Sequence, residues 1–393
     1  MKTTTTLVKI AVGIPTRLSI LSPGFFANLD RLFYHWLEGR LELKRTCRSV
    51  CADNWILAMF PFEITPVEKS KNEELLTYFL KEDGFVTIGP QKFCMNQHYA
   101  DYAENFYNIE VKKDDVWIVT YPRSGTTWTH EMMWIMMHGM DFEKAKSVWH
   151  GDKFLFLERS VLGSKKQKAK RMEEIKNGNV ELDEKFKNMQ IPGHELIKQL
   201  ETPRCIKTHL PLSLLPPNLL DTAKVVYVAR NPKDCAVSNY YHNKGTPGGF
   251  EAEFEQYWKL FQDGLLMFGP HTEHVKDAWE RRDHPNLFFF FYEDLKKDLP
   301  GMTRKMAKFL EKNISDDDVK AMVNHLSFDN MKSIEDGFMK KSTGPFRGPR
   351  YGHFRQGKSG YKEEFKNIGK AADKWVEKIT KATGIPFPST SDN

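Results

Sequence analysis
The run Tyr121-Pro122-Arg123-Ser124-Gly125-Thr126-Thr127-Trp128 gathers an arginine, three serine or threonine hydroxyls and one glycine into a single short stretch. Arginine offers a fixed fork of donors that matches the oxygens of a phosphate or sulfate, and threonine hydroxyls add further donors. If a helix begins at this point, its first N–H groups have no intrahelical partner and lie at the positive end of its dipole. The chemistry implied is the holding of a phosphate-like anion.

Two later stretches carry comparable side chains. In Lys207-Thr208-His209-Leu210-Pro211 a histidine follows a short strand-like segment and precedes a proline-bounded loop. A lone histidine is most often structural, yet an imidazole also has the affinity to take a proton from a hydroxyl near neutral pH. In Tyr227-Val228-Ala229-Arg230-Asn231-Pro232, followed by Ser238, an apolar run ends on an arginine, and the hydroxyl comes eight residues on. That pairing is read either as a surface arginine beside a helix-start serine or as a second phosphate site.

Val116–Thr120 reads as a buried strand and Trp128–Met140 as an apolar helix, so the first run is a strand, loop and helix. Lys224–Ala229 and Leu287–Phe291 read as further buried strands, the latter ending on Tyr292. Helices are predicted over Asn72–Lys81, Met302–Lys312 and Asp316–His325, and a strand over Phe85–Ile88. Met132, Met133, Met136 and Met137 are expected to fill a core. The fold class is α/β, a central parallel sheet flanked by helices.

A net charge of +6 suits an anionic ligand but is too diffuse to argue for nucleic acid. No stretch reaches the roughly 18 apolar residues of a membrane span. The five cysteines are scattered and outline neither a disulfide framework nor a zinc site, so reduced thiols, a cytoplasmic protein and no metal are expected. The loop lacks the lysine that a Walker A sequence places after its second glycine, which weakens a kinase reading. Residues 1–58 read as an extension of no assigned role. Residues 159–201, with the basic run Lys165–Arg171, read as solvated decoration or as a helical lid inserted into the 59–393 domain.

Tyr-Pro-Arg-Ser-Gly-Thr-Thr-Trp resembles the phosphosulfate loop of the cytosolic sulfotransferases, and Lys-Thr-His-Leu-Pro-Leu is similar to the segment carrying their base. The resemblance implies a P-loop-like sulfotransferase fold and the co-substrate 3′-phosphoadenosine 5′-phosphosulfate (PAPS), held at Arg123, Ser124, Gly125, Thr126, Thr127 and Trp128. It implies His209 as base, with Arg123 and Lys207 stabilising the charge that develops, and Arg230 and Ser238 on the 3′-phosphate. Tyr292, Leu326, Phe328 and Met331 would surround the adenine end. Arg355-Gln356-Gly357-Lys358-Ser359-Gly360 is similar to the element that closes on the 3′-phosphate.

Four departures go with the resemblance. Arg123 and Gln356 stand where lysine is usual, Leu326 where threonine is usual, and the KxxxTVxxxE dimer motif has no clear counterpart, so a homodimer would lack its usual interface. Arg123, Pro216-Pro217-Asn218 and the insertion before His209 together resemble the insect branch that includes retinol dehydratase. The implied reaction is sulfonate transfer to a hydroxyl of a small lipophilic acceptor. Phe154 and Phe156 are expected to line an apolar pocket for it. Dehydration through a transient sulfate ester and a catalytically inactive nucleotide-binding protein are the alternatives.

Overall fold
A computed structural model describes residues 59–162, 169, 173, 177, 191–246, 248–341 and 363–389, all within the unit Ala58–Asn393. The expectations placed on residues 1–58, on most of 159–201 and on Arg355, Gln356 and Gly357 lie outside the described residues.

Among the described residues, alternating or continuous β-branched and aromatic runs produce eight strands. The first three, β1 (Ile64–Pro66), β2 (Phe85–Ile88) and β3 (Phe93–Asn96), pair antiparallel in a small sheet. The other five, β4 (Val116–Thr120), β5 (Leu155–Phe156), β6 (Cys205–Thr208), β7 (Lys224–Ala229) and β8 (Leu287–Phe291), form a parallel sheet in the order β5-β6-β4-β7-β8. The chain therefore leaves the central strand β4 towards one side and returns to the other. Such a switch point opens a crevice outside the carboxyl ends of the strands.

The register sets those ends level: Val119 pairs with both Thr208 and Tyr227, Thr120 with Val228, and Ala229 with Phe291. Arg123, His209, Arg230 and Tyr292 all follow within three residues of a strand end, so the sheet delivers them to one rim.

Helices of eight residues or more among the described residues are α1 (Lys69–Tyr78), α2 (Thr126–Met137), α3 (Pro232–Lys244), α4 (Phe254–Gln262), α5 (His271–Trp279), α6 (Leu299–Phe309), α7 (Asp316–His325), α8 (Phe328–Lys341) and α9 (Gly369–Thr383). Strand side chains alternate between faces. Trp117, Val119, Val225 and Tyr227 join one core cluster, while Val116, Ile118, Val226 and Val228 join another beneath α2. Met132, Met133 and Met136 are buried there as expected, and Met137 packs at its margin.

Caps moved three helices from their expected positions. Glu68 accepts from the amides of Ser70 at 3.1 Å and Lys71 at 3.2 Å, starting α1 at Lys69 instead of Asn72. Asp298 accepts from Gly301 N at 2.8 Å, starting α6 at Leu299 instead of Met302. Helix α2 begins at Thr126, because Gly125 takes a left-handed φ of 110°, and ends before the positive-φ pair Gly139 and Met140.

Candidate active site
The loop after β4 is held by its backbone. Arg123 has φ 67°, unusual for a residue with a Cβ, and Gly125 lies so close to Tyr292 that a Cβ there would meet Cδ2 at 2.7 Å. The Arg123 Nε donates to Ser238 Oγ at 3.2 Å, and Arg230 Nη1 donates to the Arg123 carbonyl at 2.9 Å. The Arg230 guanidinium lies 4.5 Å from the centre of the Tyr292 ring. Arg123 thus forms one basic cluster with an arginine and a serine that lie more than a hundred residues further along the chain.

His209 stands across the same rim. Its Nδ1 is 2.8 Å from the Thr120 carbonyl oxygen and 3.1 Å from Thr120 Oγ1, which in turn lies 2.7 Å from Thr126 Oγ1. A carbonyl only accepts, so Nδ1 carries the proton and Nε2 keeps its lone pair. Phe156 and Phe268 meet the imidazole edge-on at 5.3 and 5.5 Å. Burial is the main cause that lowers the imidazole to about 3; Lys207, His274 and Arg123 lower it further, against the bond to Thr120. The residue is half-buried at the cavity, protein atoms surround the ring, and it is neutral near pH 7.

Lys207 lies 5.7 Å from the Phe156 ring and is lowered to about 8, by burial first and then by Arg159, against the attraction of Asp152 and Glu158. Beneath His209, the fully buried Glu158 accepts from the His209 amide and, at 2.8 Å, from Thr208 Oγ1. Burial raises its carboxyl to about 7 although both bonds favour the charged form.

A cavity of about 630 Å³ joins these groups. One part is walled by Arg123, Arg230, Ser238 and Tyr292, with Gly125, Thr126, Thr127 and Trp128 along the loop and Leu326 and Phe328 beyond. Trp128 Nε1 donates to the Leu326 carbonyl at 2.8 Å, tying the start of α2 to the end of α7. Elsewhere an apolar part of the lining, Phe79, Phe85, Phe156, Leu162, Leu266 and Phe268, stands with His209 and Lys207.

Two expected contacts do not reach the cavity. Ser124 is fully buried, its Oγ 3.7 Å from Cys235 Sγ and its amide on the Tyr121 carbonyl at 3.3 Å. Met331, 3% exposed, packs in the core under α2. Phe154, just before β5, likewise turns into the core, stacked 5.6 Å from His130, whereas Phe156 within the strand faces the cavity.

Sequence reading missed Lys81, Glu82, Asn239, His242 and Asn243 along the lining. Ser238, Asn239, His242 and Asn243 fall at i, i+1, i+4 and i+5 of α3, a helical stripe that could have signalled the wall. Nothing local marks Lys81 or Glu82.

A sulfotransferase-domain family model matches residues 113–384 of the chain, well over half of it. The chain belongs to the sulfotransferase family. This sulfotransferase is 33% identical to luciferin sulfotransferase of Photinus pyralis over 282 residues, 69% of this chain and 73% of that protein. It is 37% identical to sulfotransferase 1A1 of Mus musculus over 243 residues, 60% of this chain and 73% of that protein. A crystal structure of retinol dehydratase with androsterone and the inactive cofactor PAP matches with a TM-score of 0.74 and 29% identity, covering 84% of this chain and 98% of that one. A second retinol dehydratase structure, with retinol and PAP, gives 0.73 and 30%, covering 84% and 99%. The enzyme transfers a sulfonate group. Among the described residues no helix is long and apolar enough to cross a membrane.

Proposed function
We propose that this sulfotransferase takes its sulfonate from PAPS and delivers it to the hydroxyl of a small lipophilic acceptor. The observation that carries the reading is the position of His209: an imidazole with its Nε2 lone pair available lines the same cavity as the Arg123–Ser238–Arg230 cluster. PAP, bound in the retinol dehydratase structures, is the nucleotide left once the sulfonate has gone, and two phosphate-sized anions suit two arginines.

The nucleotide supplies an activated sulfonate and a leaving phosphate. Arg123, Arg230, Ser238 and the loop from Gly125 to Thr127 hold its anionic groups, while Trp128, Tyr292, Leu326 and Phe328 flank its base. His209 Nε2 takes the acceptor proton as the hydroxyl oxygen attacks. Lys207 and Arg123 neutralise the oxygens where charge develops, and since the arginine fork stays protonated, Arg123 acts through charge alone. A bound polyanion offsets the two cations that depress His209 and so makes the imidazole a stronger base. The aromatic wall around Phe156 and Phe268 suits a phenol, sterol or retinoid-like alcohol and excludes water. The described cysteines, Cys94, Cys205 and Cys235, are free, which fits a cytoplasmic enzyme.

A screen of phenols, sterols, retinoids and catecholamines with radiolabelled PAPS tests the reading. In His209→Ala, kcat should fall by about 10²–10⁴-fold. PAP affinity measured by calorimetry should stay within about threefold. Undiminished turnover in the variant, or no uptake of PAP by the wild type, sinks the proposal. The resemblance to retinol dehydratase over 84% of this chain favours a second reading, dehydration of an allylic alcohol through a sulfate ester. Recovery of the sulfate ester as the final product excludes it for that acceptor.

A further inference from the structure
His209 is gripped through its peptide as well as through its ring. On the amide side, Glu158 Oε1 accepts from His209 N, while Oε2 accepts from Thr208 Oγ1 at 2.8 Å, and the Leu210 amide donates to the same Oγ1 at 3.0 Å. On the carbonyl side, His274 Nε2 is 2.9 Å from the His209 oxygen. A carbonyl only accepts, so the proton is on His274 Nε2 and its Nδ1 accepts from Tyr227 OH at 2.7 Å. Glu158, His274 and Tyr227 are all 0% exposed, and none of them lines the cavity. They stand outside the cavity that would hold donor and acceptor.

We propose that Glu158 and His274 are positioning residues for the base, clamping the His209 peptide from opposite sides so that the imidazole holds the Thr120 carbonyl and aims Nε2 into the cavity. The reason lies in the chain around it. His209 follows the last residue of β6, beyond the ladder that pairs Val119 with Thr208, so no strand partner fixes its peptide. A buried amide and carbonyl need partners, and here the partners are two side chains from separate elements: Glu158 from just after β5, His274 from α5. The side chain then keeps two torsions, χ1 and χ2, which the bond to Thr120 and the flanking rings of Phe156 and Phe268 restrict. Placing a polar, ionisable pair under the sheet for packing alone would be costly, since each buries a group that an apolar residue could replace. This inference rests on His209 being the base.

The test compares Glu158→Gln, which keeps an acceptor for the His209 amide, with Glu158→Leu, which does not. With the best acceptor from the screen, Glu158→Gln should keep kcat within about threefold, whereas Glu158→Leu should lose roughly 100-fold in kcat with an unchanged KM for PAPS. In a His209→Ala background, Glu158→Leu should lower the residual rate no further, because the group it positions is gone. Equal losses in both backgrounds, or a loss confined to KM, would overturn the clamp. If Glu158→Leu does not fold, His274→Phe, which keeps an aromatic ring but removes the donor to the His209 carbonyl together with the acceptor for Tyr227 OH, is run through the same comparison with the same expectations, beside Tyr227→Phe as the control for the lost hydroxyl bond. The His209 Nδ1 proton resonance gives a readout that needs neither PAPS nor acceptor: it should shift in Glu158→Leu or His274→Phe, and an unmoved resonance counts against the clamp even if the proposed reaction is correct. Loss of the wild-type reaction with a shifted resonance counts against the reaction alone.

Discussion
At the scale of single residues, the charge on Lys207 makes a pH prediction. Burial lowers its ammonium to about 8, so the charge is fully present well below that pH and is lost as pH rises through it. In the free enzyme, kcat/KM should therefore fall on an alkaline limb near pH 8, and Lys207→Arg should carry that limb beyond about pH 10. An unmoved limb in Lys207→Arg assigns it elsewhere. Arg123 works by charge and by its bond to Ser238. Arg123→Lys should stay within about tenfold of wild-type kcat, while Arg123→Ala should lose at least ~100-fold. Steady-state rates equal across the three proteins would remove Arg123 from the reaction.

Two elements depend on contacts that no local pattern announces. Gly125 starts α2 with φ 110° against the face of Tyr292, so Gly125→Ala forces both a disfavoured backbone and a clash with the ring. The backbone term alone costs about 1–3 kcal/mol. Calorimetry should show PAP affinity falling at least ~10-fold in that variant, and unchanged affinity would mean the loop tolerates the shift. Behind the loop, α2 carries Glu131, fully buried with Lys153 Nζ at 2.5 and 2.6 Å and His325 Nε2 at 2.8 Å. This joins α2 to the segment before β5 and to the end of α7, whose next residue, Leu326, receives the Trp128 indole. Lys153→Met leaves a buried carboxylate without its cation and should cost roughly 3–5 kcal/mol in urea unfolding. Adding Glu131→Leu should restore much of that loss; no recovery would show that the packing, not the charge, was lost.

The whole molecule answers to acid through histidines buried in the neutral form. His271, boxed by Tyr121, Phe261 and Phe387, is lowered to about 3, by burial first and then by His274; His274 is lowered to about 4, again mainly by burial. Both values lie below the unfolded 6.5, so their contribution is present above 6.5 and is lost as pH falls towards about 4 and about 3. Each can remove up to about 1.4 kcal/mol per pH unit in that window. Glu158 opposes this, because its raised carboxyl favours the folded state at low pH and loses that contribution as pH rises through about 7. His271→Phe should flatten the fall in unfolding free energy between about pH 6 and about pH 4 by close to one proton's slope. An unchanged slope would mean that His271 is charged in the fold.

Strand, loop and helix at 116–137, the paired strands β7 and β8, and the basic and imidazole groups at their ends were legible in the sequence, since buried strands read as continuous apolar runs and phosphate-sized anions demand arginine, hydroxyl and helix N-terminus together. Helix boundaries were less so, because caps such as Glu68 and Asp298 act through one or two bonds that shift a start by three residues. The burial of Ser124 and Met331, and the turning of Phe154 inward just before β5 while Phe156 faces the cavity, depend on packing against residues distant in the chain. What the sequence determined alone was the inventory of chemistry: which groups can hold an anion and which can take a proton. What only the tertiary structure decided was their company, from the Arg123–Ser238–Arg230 cluster to the Glu158 and His274 grip on His209. Those bonds join residues that lie far apart along the chain, and only the parallel register that sets the strand ends level brings them within reach.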